Sequence, residues 1–172
     1  LLLTPNWWRL AAGQPAAKSI WLAIAAGVAL AVHFAAWITS LAFTSIAAST
    51  ALVTTNPVWV AVLSWVWFQE KPTRKLLIGT GVALVGGLLV GLGGADSTHV
   101  SHQPLLGNGL ALVGAWAASF YLLLGREAQR QGLSLSHYVT IAYSTAAIAL
   151  LPLPWLAGAT YTNYSITVYG YI

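Results

Sequence analysis

The sequence predicts an all-α membrane protein of about five transmembrane helices, and three observations carry that prediction. The chain is 58% hydrophobic and only 6% charged, with a mean hydropathy of +0.76, far from the composition of soluble domains. Apolar runs of about 20 residues, enough to cross a hydrocarbon core of roughly 30 Å as helix, alternate with short polar connections. Lys and Arg are confined to those connections, and only to every other one.

The elements follow in chain order. Leu1 to Leu3 read as the end of a preceding helix, followed by a polar, Pro-flanked connection holding Trp7, Trp8, Arg9 and Lys18; paired Trp suits a headgroup boundary. A first span is expected over residues 19–43, then a Thr44-Ser45 connection and a second span over 46–68. Gln69-Glu70-Lys71-Pro72-Thr73-Arg74-Lys75 breaks the pattern with charge and proline. A third span covers 76–93, and a polar loop to Pro104 carries Asp96, His99 and His102 without Lys or Arg. The fourth span, 105–124, ends at Gly125-Arg126-Glu127, and the fifth, 137–151, exits at Pro152 and Pro154 into a Tyr-rich interfacial tail. With no Met and a start in mid-pattern, the chain reads as a piece of a longer protein.

Numbered in order, the first, third and fifth connections carry Lys or Arg and the second, fourth and sixth carry none, which is the positive-inside pattern. It places Arg9, Lys18, Lys71, Arg74, Lys75, Arg126 and Arg130 in the cytoplasm. The net charge of +4 therefore reflects orientation in a membrane, and nucleic acid is not an expected partner. Cys is absent, which removes disulfides, thiolate metal sites and Cys nucleophiles.

No Asp, Glu, Lys or Arg lies inside a span, so the acid or base pair of intramembrane catalysis is missing and an enzyme is not expected. Neither G-x-S-x-G nor H-E-x-x-H occurs, and Asp96, His99 and His102 read as solvated loop rather than a metal site. His33 is the one ionisable side chain well inside a span. Helical spacing puts Trp37, Ser40 and Thr44 on its face. Such a histidine either bonds to a neighbouring helix or lines a wet cavity where it can carry a proton, and both readings stand. The second span offers Thr50, Thr54 and Pro57 on one face, with Thr55 and Asn56 beside them. A mid-span Pro removes a backbone bond, so the helix can kink and present polar atoms at membrane depth. Ala83, Gly87 and Gly91 form a small-xxx-small row suited to close helix packing. Trp116, Ser119 and Tyr121 in the fourth span, and Tyr138, Thr140, Tyr143, Ser144 and Thr145 in the fifth, supply rings and hydroxyls; Trp116 and Tyr121 are the stronger candidates, since rings near helix ends are commonly interfacial anchors.

The run from Ala31 to Leu41, followed by Thr44-Ser45-Ile46 and Leu52-Val53-Thr54-Thr55-Asn56-Pro57, resembles the EamA family of the drug/metabolite transporter superfamily. Gln69-Glu70-Lys71-Pro72 is similar to that family's Gly-Glu-Arg/Lys-Pro connection, with Gln69 in place of the usual Gly. Gly107-Asn108 and Tyr121-x-x-x-Gly125-Arg126 fit as well, although the family more often has Gly-Asp at the former.

The resemblance implies a ten-helix fold of two inverted five-helix repeats around a central cavity. Residues 1–95 would be the C-terminal part of the first repeat, 96–104 an external loop and 105–172 the N-terminal part of the second. It implies a multi-pass permease or exporter of small metabolites such as amino acids in a bacterial or archaeal cytoplasmic membrane, with no cofactor. The substrate-binding residues carried over are His33, Trp37, Ser40, Thr54, Asn56, Pro57, Trp116 and Tyr121. Partners are then a small-molecule substrate, the lipid bilayer and the missing helices of the same polypeptide, with a homodimer as an option. Proton coupling, if it exists in this half, would pass through His33. The competing reading is a membrane scaffold or assembly subunit whose small residues only pack helices.

Overall fold

A computed structural model describes residues 17–93 and 103–156, together with Gly158. The expected helix end at Leu1 to Leu3, the Asp96, His99 and His102 loop and most of the Tyr-rich tail lie outside the described residues.

The described residues form helices α1 (Ala17–Ser40), α2 (Ile46–Val53), α3 (Asn56–Phe68), α4 (Arg74–Gly93), α5 (Pro104–Arg130), α6 (Leu135–Leu150) and the short α7 (Leu153–Leu156). α1, the α2–α3 pair, α5 and the α6–α7 pair are long and apolar enough to cross a membrane. The 20 residues of α4 would extend about 30 Å as helix, also a spanning length.

The boundaries differ from the sequence expectation where local bonding overrides hydropathy. α1 stops at Ser40, earlier than residue 43, because the chain tightens there: Leu41, Ala42 and Phe43 donate to carbonyls three residues back, at 3.0 to 3.2 Å. Ser45 then caps α2, its hydroxyl accepting from the Ala48 N–H at 3.1 Å. The 46–68 span is two helices rather than one. Thr55 and Val58 donate to the carbonyls of Leu52 and Thr55, three residues back, and Pro57 occupies the first turn of α3. α5 runs on through Arg126 to Arg130 and ends in a Schellman turn. There Gly132 adopts a φ of 91°, while Leu133 donates to Ala128 and Gly132 to Gln129.

α1 lies antiparallel to α5 and parallel to α6. His33 meets Gly114 near mid-helix, Gly107 abuts Thr44 at one end, and Leu22 shares a pocket with Leu123 and Leu124 at the other. Small residues make this close approach feasible. Ala23, Ala26, Leu30 and Ala31 of α1 are buried with Ala128 of α5 and with Tyr138, Ala142 and Ala146 of α6, and the largest fully buried side chains are serines. Large apolar residues instead face outward, among them Trp21, Ile38, Ile46, Ile78, Leu105 and Ile148. That inside-out distribution suits lipid, where helix contact gains little from burying Leu or Ile but gains dispersion and hydrogen bonds from close backbones.

The row Ala83, Gly87 and Gly91 is used in part: a Cβ on Gly87 would stand 3.1 Å from the Thr54 hydroxyl, whereas Ala83 is exposed. Among the described residues the charges keep to one end. Glu70 at the α3 exit pairs with Arg126, next to Arg130 and to the Lys71, Arg74 and Lys75 connection.

Candidate functional site

The eight residues expected to bind substrate do not converge. His33 is buried, and its Nδ1–H donates to the Gly114 carbonyl of α5 at 2.9 Å; a carbonyl only accepts, so Nδ1 carries the proton. Its ring stacks on Trp37, with centroids 5.7 Å apart. Trp37 Nε1 is itself buried without a hydrogen-bond partner among the described residues. Ser40 joins α1 to α2: its hydroxyl donates to the Trp37 carbonyl and stands 2.6 Å from the Ser49 hydroxyl. These three positions form a helix contact.

Thr54 faces α4 and bonds back to the Ala51 carbonyl at 2.8 Å. Trp116 meets Trp59 edge-on at 5.0 Å, on a seam continued by Trp67 and Phe120. Tyr121 packs between α1 and α6, its ring stacked on Tyr138 and its carbonyl accepting from the Tyr138 hydroxyl at 2.8 Å.

Asn56 and Pro57 do line a cavity. It measures about 450 Å³ and runs between α3, α5 and the 69–73 connection. From α3 come Asn56, Pro57, Val60, Ala61 and Ser64, positions that recur at one and four residues and so share one helical face. The opposite wall is Leu122 and Arg126 of α5, closed by Glu70, Lys71, Pro72, Thr73 and Leu76. From Asn56 to Ser64 the α3 wall extends about 12 Å along the helix axis.

Its two ends differ chemically. At the deep end Asn56 faces Ser119 of α5, whose hydroxyl bonds the Asn56 side-chain oxygen and also the Ala115 carbonyl at 2.8 Å. Breaking the helix at Thr54 and Thr55 sets Asn56 there: both hydroxyls bond carbonyls three residues back, at 2.8 and 2.6 Å, satisfying groups a regular helix would have served. At the charged end Arg126 grips Glu70 with both guanidinium nitrogens, at 2.7 and 2.5 Å, and lies 5.2 Å from the Phe68 ring centroid. The Arg126 hydrogen bonds hold the Glu70 carboxyl below the usual carboxylate range, with Arg130 adding to the effect. Gln69 positions that carboxylate. It closes α3 with a φ of 55°, a left-handed conformation in which glycine is the usual residue.

This segment sequence also decides the family. Residues 1–92, more than half the chain, match the model of the EamA-like transporter family. The chain belongs to that family. It is therefore a multi-pass membrane protein of the drug/metabolite transporter type, and the EamA match ends within the last turn of α4. Neither a curated protein nor a solved structure matches the chain.

Within this EamA chain, sequence reasoning passed over Val60, Ala61, Ser64 and Leu122, and read Glu70 as part of a family motif and Arg126 as a motif residue and topology signal, neither as a site residue. The α3 residues were accessible: following the helical period onward from Asn56 gives Val60 and Ser64. Arg126 was not, because its pairing with Glu70 spans 56 residues of sequence.

Proposed function

We propose that the groove between α3 and α5 belongs to the route by which the complete protein exports small metabolites, such as amino acids, across a bacterial or archaeal cytoplasmic membrane. The observation that carries the reading is the groove's composition: apolar walls with an amide–hydroxyl pair at one end and an ion pair at the other, in a volume within the range of small-molecule sites. Such a channel segment accepts an amphipathic solute without a fixed charge at membrane depth. The orientation that puts the Arg126 end in the cytoplasm follows from the one-sided Lys and Arg residues.

The test is efflux of labelled amino acids from cells expressing the full-length protein, with Val60→Trp filling the groove. Loss of efflux at unchanged membrane abundance supports the reading. A second reading, membrane scaffold, is favoured by one observation: His33 and Ser40 are spent on helix contacts. Under it, Val60→Trp has no effect on solute movement.

A further inference from the structure

We infer that Arg126 reads a carboxylate on the transported solute and that Glu70 is its resident competitor, so that loading of the groove and release of the Glu70–Arg126 pair are one event. The inference rests on the groove being the solute site.

Glu70 itself shows the fit. Its two carboxylate oxygens meet the two guanidinium nitrogens of Arg126 in the planar fork-to-fork arrangement that arginine makes with carboxylates. Both side chains line the cavity, and at 41% and 45% exposure the pair is reachable by a solute from the aqueous side. Exposed ion pairs contribute little to stability, so the fold does not depend on keeping this one closed.

Partner exchange is also electrically balanced. The mouth holds Arg126 and Lys71 against Glu70, with Arg130 close enough to bias the Glu70 carboxyl. A solute carboxylate replacing Glu70 on Arg126 leaves the guanidinium neutralised, while Glu70 turns to the remaining cations. The two partners differ in rigidity. Arg126 stands on the long α5, whereas Glu70 follows Gln69, whose left-handed backbone is disfavoured for a non-glycine residue. Release of the pair lets that turn relax, so the connection moves rather than the helix. Val60, Ala61 and Leu122 line the apolar wall of the same cavity and suit an apolar body attached to the carboxylate.

The experiment compares 3-phenylpropionate with its neutral isostere 3-phenylpropionamide, binding each to the full-length protein in nanodiscs by calorimetry. The wild type binds the carboxylate about tenfold tighter than the amide, the worth of a charge-assisted hydrogen bond in a partly wet site. Glu70→Gln, by removing the competitor, tightens the carboxylate about tenfold again and leaves the amide unchanged. Arg126→Gln brings the carboxylate down to the amide, and Arg126→Lys, which keeps the charge without the fork, falls between. Weaker carboxylate binding in Glu70→Gln overturns the inference. So does equal binding of both probes by the wild type; if Val60→Trp still abolishes that binding, the groove reading survives alone. Binding of neither probe, or binding indifferent to Val60→Trp, overturns the groove reading and the inference together.

Discussion

Ser119 of α5 donates its hydroxyl to the side-chain oxygen of Asn56, the first residue of α3, and so ties the broken second span to the longest helix of the bundle. The same hydroxyl lies 2.8 Å from the Ala115 carbonyl one turn earlier, so its one proton is shared between its own helix and α3.

Ser119→Ala removes this tie and leaves the Asn56 oxygen to the groove. The expected cost is about 1 kcal/mol in thermal unfolding followed in detergent, with a larger proportional loss of solute flux because Asn56 is then free to rotate. Unchanged stability and flux would show that the contact serves neither.

Two glycines of α5, two residues apart, separate packing from mere composition. A Cβ on Gly107 would stand 2.7 Å from the Thr44 backbone nitrogen and 2.8 Å from the Phe43 carbonyl carbon, whereas one on Gly109 meets nothing within 4 Å. Gly107→Ala is therefore expected to destabilise the bundle by about 1–3 kcal/mol, and Gly109→Ala to leave it unchanged or slightly more stable. Equal melting temperatures for the two variants would refute the close α1–α5 approach.

Pro57→Ala supplies an N–H that a continuous helix would direct to the Val53 carbonyl. The expected result is a straighter second span, stability unchanged or raised by up to about 1 kcal/mol, and flux reduced about tenfold as Asn56 leaves its place, the equivalent of one lost hydrogen bond. Efflux assays alongside unfolding curves measure both.

Gln69 holds a φ of 55°, and its amide nitrogen donates to the Val66 carbonyl at 3.0 Å. Gln69→Gly relieves the left-handed backbone at the cost of that bond, for a net gain of up to about 1 kcal/mol. A melting temperature lowered by the glycine would mean that the side-chain bond outweighs the backbone strain.

The acid dependence of the Glu70 contact has a definite sign. Arg126 first, and Arg130 with it, lower the carboxyl below its ordinary value of 4.5. The contribution is thus fully present above about that pH and disappears as pH falls through the lowered value. Amide protection factors across residues 70–73, taken relative to the intrinsic exchange rate at each pH, are expected to fall on acidification in the wild type and to be low already at neutral pH in Glu70→Gln. High salt shrinks the difference, since the pair is exposed. An acid response that survives in Glu70→Gln would assign it to another group.

Spans, their order and the one-sided charge were legible in the sequence because each rests on a local property: about 20 apolar residues suffice to cross a bilayer whatever they pack against. The family was legible for the same reason, from contiguous motifs around Thr54 to Pro57 and Gln69 to Pro72. Helix ends were less so, because Ser40, Ser45 and Gly132 set them through single hydrogen bonds and one positive φ that hydropathy does not see. Of the candidate site, the sequence supplied Asn56 and Pro57, and tertiary structure decided the rest. His33, Trp37 and Ser40 share a helical face with the right chemistry, yet which neighbour that face meets depends on α5 and α2 packing against it, and that contact commits His33 Nδ1 and the Ser40 hydroxyl to the fold while Trp37 Nε1 has no partner among the described residues. Conversely, the groove that Asn56, Glu70 and Arg126 line exists only because α3 and α5, 63 residues apart at the Asn56–Ser119 contact, run side by side. Lipid-facing helices present apolar residues all round, so the sequence carries little record of which face meets which partner, and backbone proximity at small residues makes that choice.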